Sequence, residues 1–311
     1  MSSLLLLGIV LLATFALTAV LLAGLVAIAW HVGLSRVRTA SADLLALRLL
    51  PVSGALIFAV TVVLPAFLSR EPYRDREAAG PLLLILAAFA LLTLGHGIWR
   101  GWRAWTAARS LLHTWGSARR CVVENGCVVQ VVDIPKPIIG VIGAWRPRVV
   151  AAECVISACS RGEFRQVVAH EAAHVSTRDN LKLLLVLACP DALAWTVLGA
   201  ALTERWRTEA EFEADQRATG DDPQNRLELA SALIKVARLF DRESDTRHAL
   251  TMSVAHDDVE GRVRHLLAPA HATSPRLGKA LVSLALLTPV AALPLYAPVH
   301  ELIETLVGFG L

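Results

Sequence analysis

The sequence predicts a multi-span α-helical membrane protein, with four transmembrane helices and an α+β domain inserted between the third and the fourth. Three observations carry this expectation. Only 18% of the 311 residues are charged and 55% are hydrophobic, whereas soluble globular proteins carry about 25% charged residues. The deficit is concentrated in four charge-free runs, residues 2–30, 49–69, 78–99 and 280–300, each long enough for the roughly 20 residues that cross a hydrocarbon core. Between the third and fourth runs, residues 100–276 hold most of the Arg, Asp and Glu.

Helix is the expected state of each run, because lipid offers the backbone no hydrogen-bond partners. The spans are placed at about 4–30, 49–69 and 80–99, followed by a domain over 106–276 and by a final span and short tail within 277–311. The first run lacks a basic leading segment, is too long for the apolar part of a signal peptide, and closes on Trp30 as an interfacial anchor would. Orientation is read from basic residues. Arg100, Arg103, Arg109, Arg119 and Arg120 open the central domain, Arg276 and Lys279 close it, and the tail has neither Lys nor Arg. The domain is therefore expected in the cytoplasm, with both termini outside an integral cell membrane protein. Trp99, Trp102 and Trp105 fit an aromatic belt at the same boundary. The 69–80 loop, with Arg70, Arg74 and Arg76 beside three acids, dissents mildly.

The net charge of +3 is small. It gives no reason to expect nucleic-acid binding, and basic residues near the membrane account for much of it. Five cysteines, an odd number without CxxC spacing, form neither a disulfide framework nor a zinc ribbon. Cys154 and Cys159 read as buried apolar fillers.

Within the domain, "RCVVENGCVVQVVD" (120–133) reads as a hairpin around Asn125-Gly126. After a Pro- and Gly-broken stretch, "RVVAAECVI" (148–156) reads as a strand. Ser160 with Glu163 forms a capping box that opens a helix running to about Arg178. Residues 183–203 are apolar but interrupted by Pro190 and Asp191, which favours a buried helix or a hairpin grazing the membrane over a fifth span. "TERWRTEAEFEADQRATG" (203–220) reads as a helix with Thr203 near its start and Gly220 as its stop. Asp222-Pro223 opens the next helix, with Leu227, Ala230, Leu233, Ile234, Ala237 and Leu239 on its apolar face.

"QVVAHEAAHVSTRD" (166–179) carries the chemistry. Positions four apart on a helix share a face, so His170 and His174 present two imidazoles to one point, as zinc requires of two of its ligands. Glu171, about 100° round the helix, reaches a water held there, as a general base would. A third protein ligand leaves one position open. "EFEAD" offers Glu211, with Asp215 four residues on to hydrogen-bond a histidine ligand and set its tautomer. Glu211 is preferred over Glu209 and Glu213 because only Glu211 has an Asp at i+4. Asp179, five past His174, is placed for similar orienting work. HExxH alone is weak, and an acidic run is usually a wet helix face; the ordered combination is far more specific.

"RPRVVAAECVISACSRGEFRQVVAHEAAHVSTRDN" together with "EAEFEADQRA" resembles the BlaR/MecR family of membrane zinc metallopeptidases, and the resemblance in span order covers nearly the whole chain. It implies a gluzincin fold for the domain and one Zn2+ per chain held by His170, His174 and Glu211. Glu171 is the implied catalytic base, supported by Asp215 and Asp179. It further implies regulatory proteolysis of a cytoplasmic, winged-helix transcriptional repressor. Beside the substrate, a sensor partner or a second copy of the chain, as a homo-oligomer, is a candidate partner. Two departures stand out. Only residues 301–311 follow the last expected span, where the family's sensors carry a penicillin-binding domain, so a β-lactam is not expected as the stimulus. The family's Asn-Pro pair between the motif helices reads here as "ACPDALAW". "AHDDVEGRVRHL" (255–266) is similar to a terminal segment of the HtpX and CAAX-protease group, with His256 and Arg262 in register. That resemblance implies a quality-control or processing peptidase, with Arg262 on Asp215 or on a substrate carbonyl. The substrate is expected to lie extended along an exposed strand over 147–156. A non-catalytic membrane signalling protein with a structural zinc is the remaining alternative.

Overall fold

The computed structural model describes residues 3–33, 39–70, 79–115, 120–244 and 253–268. The chain divides into two compact units, Met1–Gly101 with Val186–Trp206 and Thr273–Leu311, and Trp102–Leu185 with Arg207–Ala272.

The first unit is helical. Helix α1 spans Ser3–Val32. Helix α2, Ser41–Phe58, continues through a π-helical turn, Ala59–Val63, into α3, Leu64–Arg70, and α4 spans Pro81–Trp115. Among the described residues, three stretches are long and apolar enough to cross a membrane: Leu4–Val32, Ser41–Leu68 and Pro81–Leu111. The expected fourth span at 280–300 lies outside the described residues. Small side chains let these helices approach closely, as membrane helices require: Ala16, Ala19, Ala55 and Ala90 form one buried cluster around Phe15. Leu21, Leu25, Ile28, Ile85, Leu92 and Ile98 remain exposed, as lipid-facing residues would.

The second span starts eight residues before its expected position and takes in Asp43 and Arg48, which are 4% and 1% exposed. Arg48 is tolerated there because its Nη1 pairs with Asp191. The apolar stretch 183–203 is broken, as Pro190 and Asp191 suggested. Helix α7, Asp179–Ala188, gives way to a short 3-10 turn, Ala192–Trp195, and then to α8, Val197–Thr219. Asp191 Oδ1 accepts from Ala194 N at 2.8 Å and opens that turn. Helix α8 begins six residues before the expected Thr203, because Thr196 Oγ1 accepts from Gly199 N at 3.1 Å and supplies the cap.

The second unit has a four-stranded sheet in the order β1-β2-β4-β3. Strands β1 (Arg120–Glu124) and β2 (Cys127–Val132) form the expected hairpin. Asn125 (φ 51) and Gly126 (φ 74) make its two-residue turn, the primed geometry that matches strand twist. Strand β4, Arg148–Ala152, runs parallel to β2, and β3, Ile139–Ile142, runs antiparallel to β4. The expected strand over 148–156 is therefore shorter, because Glu153–Ala158 coils into helix α5. Nor is it exposed: β4 is interior to the sheet, so it offers no free edge to a substrate. Cys154 and Cys159 are half-buried rather than buried.

Helix α6, Arg161–Thr177, begins with the full capping box of Ser160 and Glu163 and ends at Arg178 in the left-handed region. Phe164 and Val168 pack on Val129, Val149 and Ala151 of the sheet. Val167, on its other side, meets Leu229, Ala230 and Ala232 of α9 (Pro223–Ser244) and Leu266 of α10 (Ser253–Leu267). Helix α9 is thus wedged between α6 and α10. Its buried arc is rotated from the expected one, leaving Leu227 and Ile234 52% and 38% exposed. Gly220 (φ 56) stops α8, and Asp222 Oδ1 accepts from Gln224 N at 2.9 Å to start α9.

Candidate metal centre

One turn of α6 brings the two imidazoles together: His170 Nε2 and His174 Nε2 are 3.1 Å apart. The Glu211 carboxylate on α8 comes to 3.3 Å from His170 Nε2 and 3.4 Å from His174 Nε2. Donor atoms of all three residues lie within 4.8 Å of one another. Around a tetrahedral ion with bonds of about 2.1 Å, neighbouring donors are about 3.4 Å apart. The triangle formed by these residues fits such an ion.

The opposite ring nitrogens are fixed by carboxylates. His170 Nδ1 donates to Asp215 Oδ1 at 2.8 Å, and His174 Nδ1 donates to Asp179 Oδ2, also at 2.8 Å. Each Nδ1 thereby carries the proton and each Nε2 is turned toward the shared point, the tautomer a metal needs. Asp179 is itself held by Thr177 Oγ1 at 2.6 Å and Lys182 Nζ at 2.8 Å. Neither partner was singled out from sequence, although Thr177 and Lys182 flank Asp179 closely enough to have signalled it.

Arg262 on α10 completes the constellation. Its Nε and Nη2 donate to Asp215 Oδ2 and Oδ1 at 3.0 and 2.6 Å, a bidentate pair, and its Nη1 lies 3.0 Å from Glu211 Oε2. Of its two expected roles, the structure displays the contact with Asp215. His256 falls in the first turns of α10, and its side chain lies outside the described residues. Glu171 is 8% exposed.

The electrostatics follow from these contacts. Burial raises the Glu171 carboxyl above its ordinary value, against the pull of the His170, His174 and Arg262 charges. Burial alone would lower His174, but its hydrogen bonds to Asp179 and Glu211 push it up to about 10. His170 is likewise raised, since Asp215 and Glu211 outweigh burial and the Arg262 charge. Asp179, despite burial, is held at about 2 by His174, Lys182 and Thr177. Glu211, also despite burial, is held well below the carboxylate range by the two histidines and Arg262. The site pairs acids and bases so tightly that a cation of higher charge has a negative cradle ready once the ring protons leave.

Beside the site, Asn180 Nδ2 donates to the carbonyls of Val141 (2.8 Å) and Gly143 (3.2 Å). Ile138 O accepts from Ala152 N, so in this antiparallel pair the even-numbered residues of β3 face β4. The Val141 and Gly143 carbonyls point to the outer edge, where Asn180 takes them. Asn180 was not singled out from sequence; its position directly after Asp179 was the only signal.

No curated protein and no solved structure matches the chain. The model of Peptidase family M48 matches residues 139–278, the stretch that holds β3, β4, both histidines, Glu211, Asp215 and Arg262, and this match supports a metallopeptidase.

Proposed function

We propose that the chain is a membrane-embedded zinc metalloendopeptidase. The observation that carries this reading is the triangle of His170, His174 and Glu211, with both Nδ1 atoms tied to carboxylates and a buried acid, Glu171, next in sequence to the first ligand. Structural zinc sites are closed and usually rich in cysteine, whereas three N/O ligands leave a position open for chemistry. This favours the enzyme over a structural-zinc signalling protein. Zinc, when bound, supplies a Lewis acid and lowers the pKa of water at that position.

The chain's own residues do the rest. Glu171, with its pKa raised by burial, accepts the proton from the attacking water and delivers it to the leaving amine. Asp215 and Asp179 keep the two imidazoles in the metal-binding tautomer. Arg262 neutralises Asp215 and, through Nη1, steadies Glu211. With β4 interior, β3 is the edge beside α6, and a peptide adding to it would pair with Ile139 and the Val141 N–H. The domain is read as cytoplasmic, with the amino and carboxyl termini outside.

Two substrate classes fit this chemistry: a cytoplasmic winged-helix repressor, as the BlaR/MecR resemblance implies, and misfolded or precursor membrane proteins, as the HtpX/CAAX resemblance implies. The engagement of Arg262 with both Asp215 and Glu211 favours the second, because Arg262 belongs to the segment that carries that resemblance. The test is cleavage of casein by full-length protein in detergent. Glu171→Gln should lower kcat by about 10²–10⁴ at unchanged zinc content, and a variant as active as the wild type would end the assignment of Glu171. A wild type that binds zinc yet cleaves neither casein nor a membrane-protein probe would favour the structural-zinc alternative.

A further inference from the structure

Away from the metal centre, the membrane-helix unit contains a second cluster of charged groups. Arg48 of α2 and Asp191 of the turn before α8 are 1% and 2% exposed and form an ion pair. Both Asp191 oxygens are engaged, Oδ2 by Arg48 and Oδ1 by the Ala194 N–H. A second guanidinium, Arg100 of α4, is placed beside this pair by close backbone packing. A Cβ on Gly97 would stand 2.5 Å from Ala188 O and 3.3 Å from the Cys189 carbonyl carbon, and one on Gly101 would stand 2.9 Å from Ala188 Cβ. Arg100 is three residues on from Gly97, on that same side of the helix, and lies within electrostatic range of Arg48, Asp191 and Cys189.

Among the described residues the cluster therefore holds two guanidiniums and one carboxylate. It also holds donors without acceptors: Arg48 Nε and Arg100 Nη1 are both buried and make no hydrogen bond among the described residues. A buried charged donor left unpaired is costly, so each of the two calls for an acceptor bearing negative charge. Asp43, the buried acid of α2, is five residues from Arg48, about 140° round the helix, and does not face the same way.

The depth of the cluster identifies the acceptor. Trp99, Trp102 and Trp105, all on α4, are 53%, 64% and 44% exposed. They span about 9 Å of helix, comparable to the headgroup layer where amphipathic indoles settle. Arg100 lies inside that band. We propose that Arg48 and Arg100 form a binding site for a phosphate group, occupied by the headgroup of an anionic phospholipid seated between α2, α4 and the 188–191 turn. Basic pockets between membrane helices recognise lipid phosphates in this way, and guanidiniums suit phosphate through their paired N–H groups.

The test is native mass spectrometry of the full-length protein in mild detergent, incubated with phosphatidylglycerol and phosphatidylcholine of identical acyl chains, with and without millimolar inorganic phosphate. Phosphatidylglycerol should be retained, one per chain, about tenfold above phosphatidylcholine, and Arg100→Gln should remove about that factor, the worth of one charge-assisted hydrogen bond. This variant leaves the Arg48–Asp191 pair intact. Arg100→Lys, which keeps the charge and loses the fork, should fall between the two and serves if Arg100→Gln does not fold. Equal retention of both lipids, or phosphatidylglycerol retention unaffected by both variants, would overturn the proposal. Displacement of the lipid by inorganic phosphate, leaving a phosphate adduct, would overturn the lipid as its occupant.

Discussion

Asp215 Oδ1 lies 2.8 Å from His170 Nδ1, and Asp215 is fully buried beneath the histidine it orients. The same carboxylate receives both Nε and Nη2 of Arg262. Asp215 therefore sets the tautomer of one proposed ligand while its own charge is balanced from a third helix. Removing such an orienting acid costs about 10–100-fold in metal affinity. Asp215→Ala is expected to weaken zinc binding by that factor, measured by competition with a chromophoric chelator. It should also lower the melting temperature, because the buried Arg262 loses its bidentate contact with Asp215. Unchanged zinc affinity would show that His170 needs no such support.

Zinc binding should be steeply pH-dependent. The His174 imidazole is pushed up to about 10 by Asp179 and Glu211 despite burial, and His170 is raised as well. A metal must displace these protons, since only the neutral ring coordinates. Affinity is expected to rise by about tenfold or more per pH unit between roughly pH 7 and 9. Calorimetric titrations in buffers of different ionisation enthalpy would show at least one proton released per zinc bound near neutrality. A pH-independent affinity would contradict the paired-charge description of the site.

Glu163 links the start of α6 to α9. It accepts from Ser160 N at 2.7 Å, Ser231 Oγ at 2.6 Å and Lys235 Nζ at 2.7 Å. Burial opposes ionisation, but these bonds prevail and hold the carboxyl at about 2. A carboxyl depressed on folding stabilises the native state above its ordinary value near 4.5, and the stabilisation is lost as pH falls from there toward 2. Glu163→Gln is expected to cost roughly 2–3 kcal/mol at neutral pH. The melting temperatures of variant and wild type should converge in acid. A constant difference across the pH range would mean that the loss is one of packing rather than charge.

What the sequence made legible was local. HExxH places two rings on one helix face because a period of 3.6 residues demands it. Asn125-Gly126 folds the hairpin because both residues accept positive φ, and Ser160 with Glu163 starts the helix by satisfying its own free N–H groups. What it hid depends on partners far along the chain. Arg48 reads as the end of a loop until Asp191, 143 residues away, is seen to accept it. Strand β4 reads as a candidate edge until β2 and β3 are found on either side, a matter of strand order that no periodicity encodes. Arg262 reads equally as a partner of Asp215 or of a substrate, because its alignment with Asp215 and Glu211 is fixed by how α10 packs, not by spacing within α10.

Asn180 offers the sharpest test of where a substrate would lie. It follows Asp179 directly and takes the Val141 and Gly143 carbonyls on the outer side of β3. In doing so it ties the edge strand to the end of the helix that carries both histidines. Two neutral hydrogen bonds contribute about 1 kcal/mol each, so Asn180→Ala should lower the melting temperature only modestly. If a peptide pairs with β3, loosening that strand misplaces the scissile carbonyl relative to Glu171. A kcat/KM loss of about tenfold or more is then expected, beyond what the stability change explains. Asn180→Asp, which cannot donate to either carbonyl, should behave like the alanine variant, whereas Asn180→Gln, which keeps the amide, should retain part of the activity. Equal activity in all three variants would move the substrate to another edge of the sheet, and the exposed strand β1 would be the next to examine.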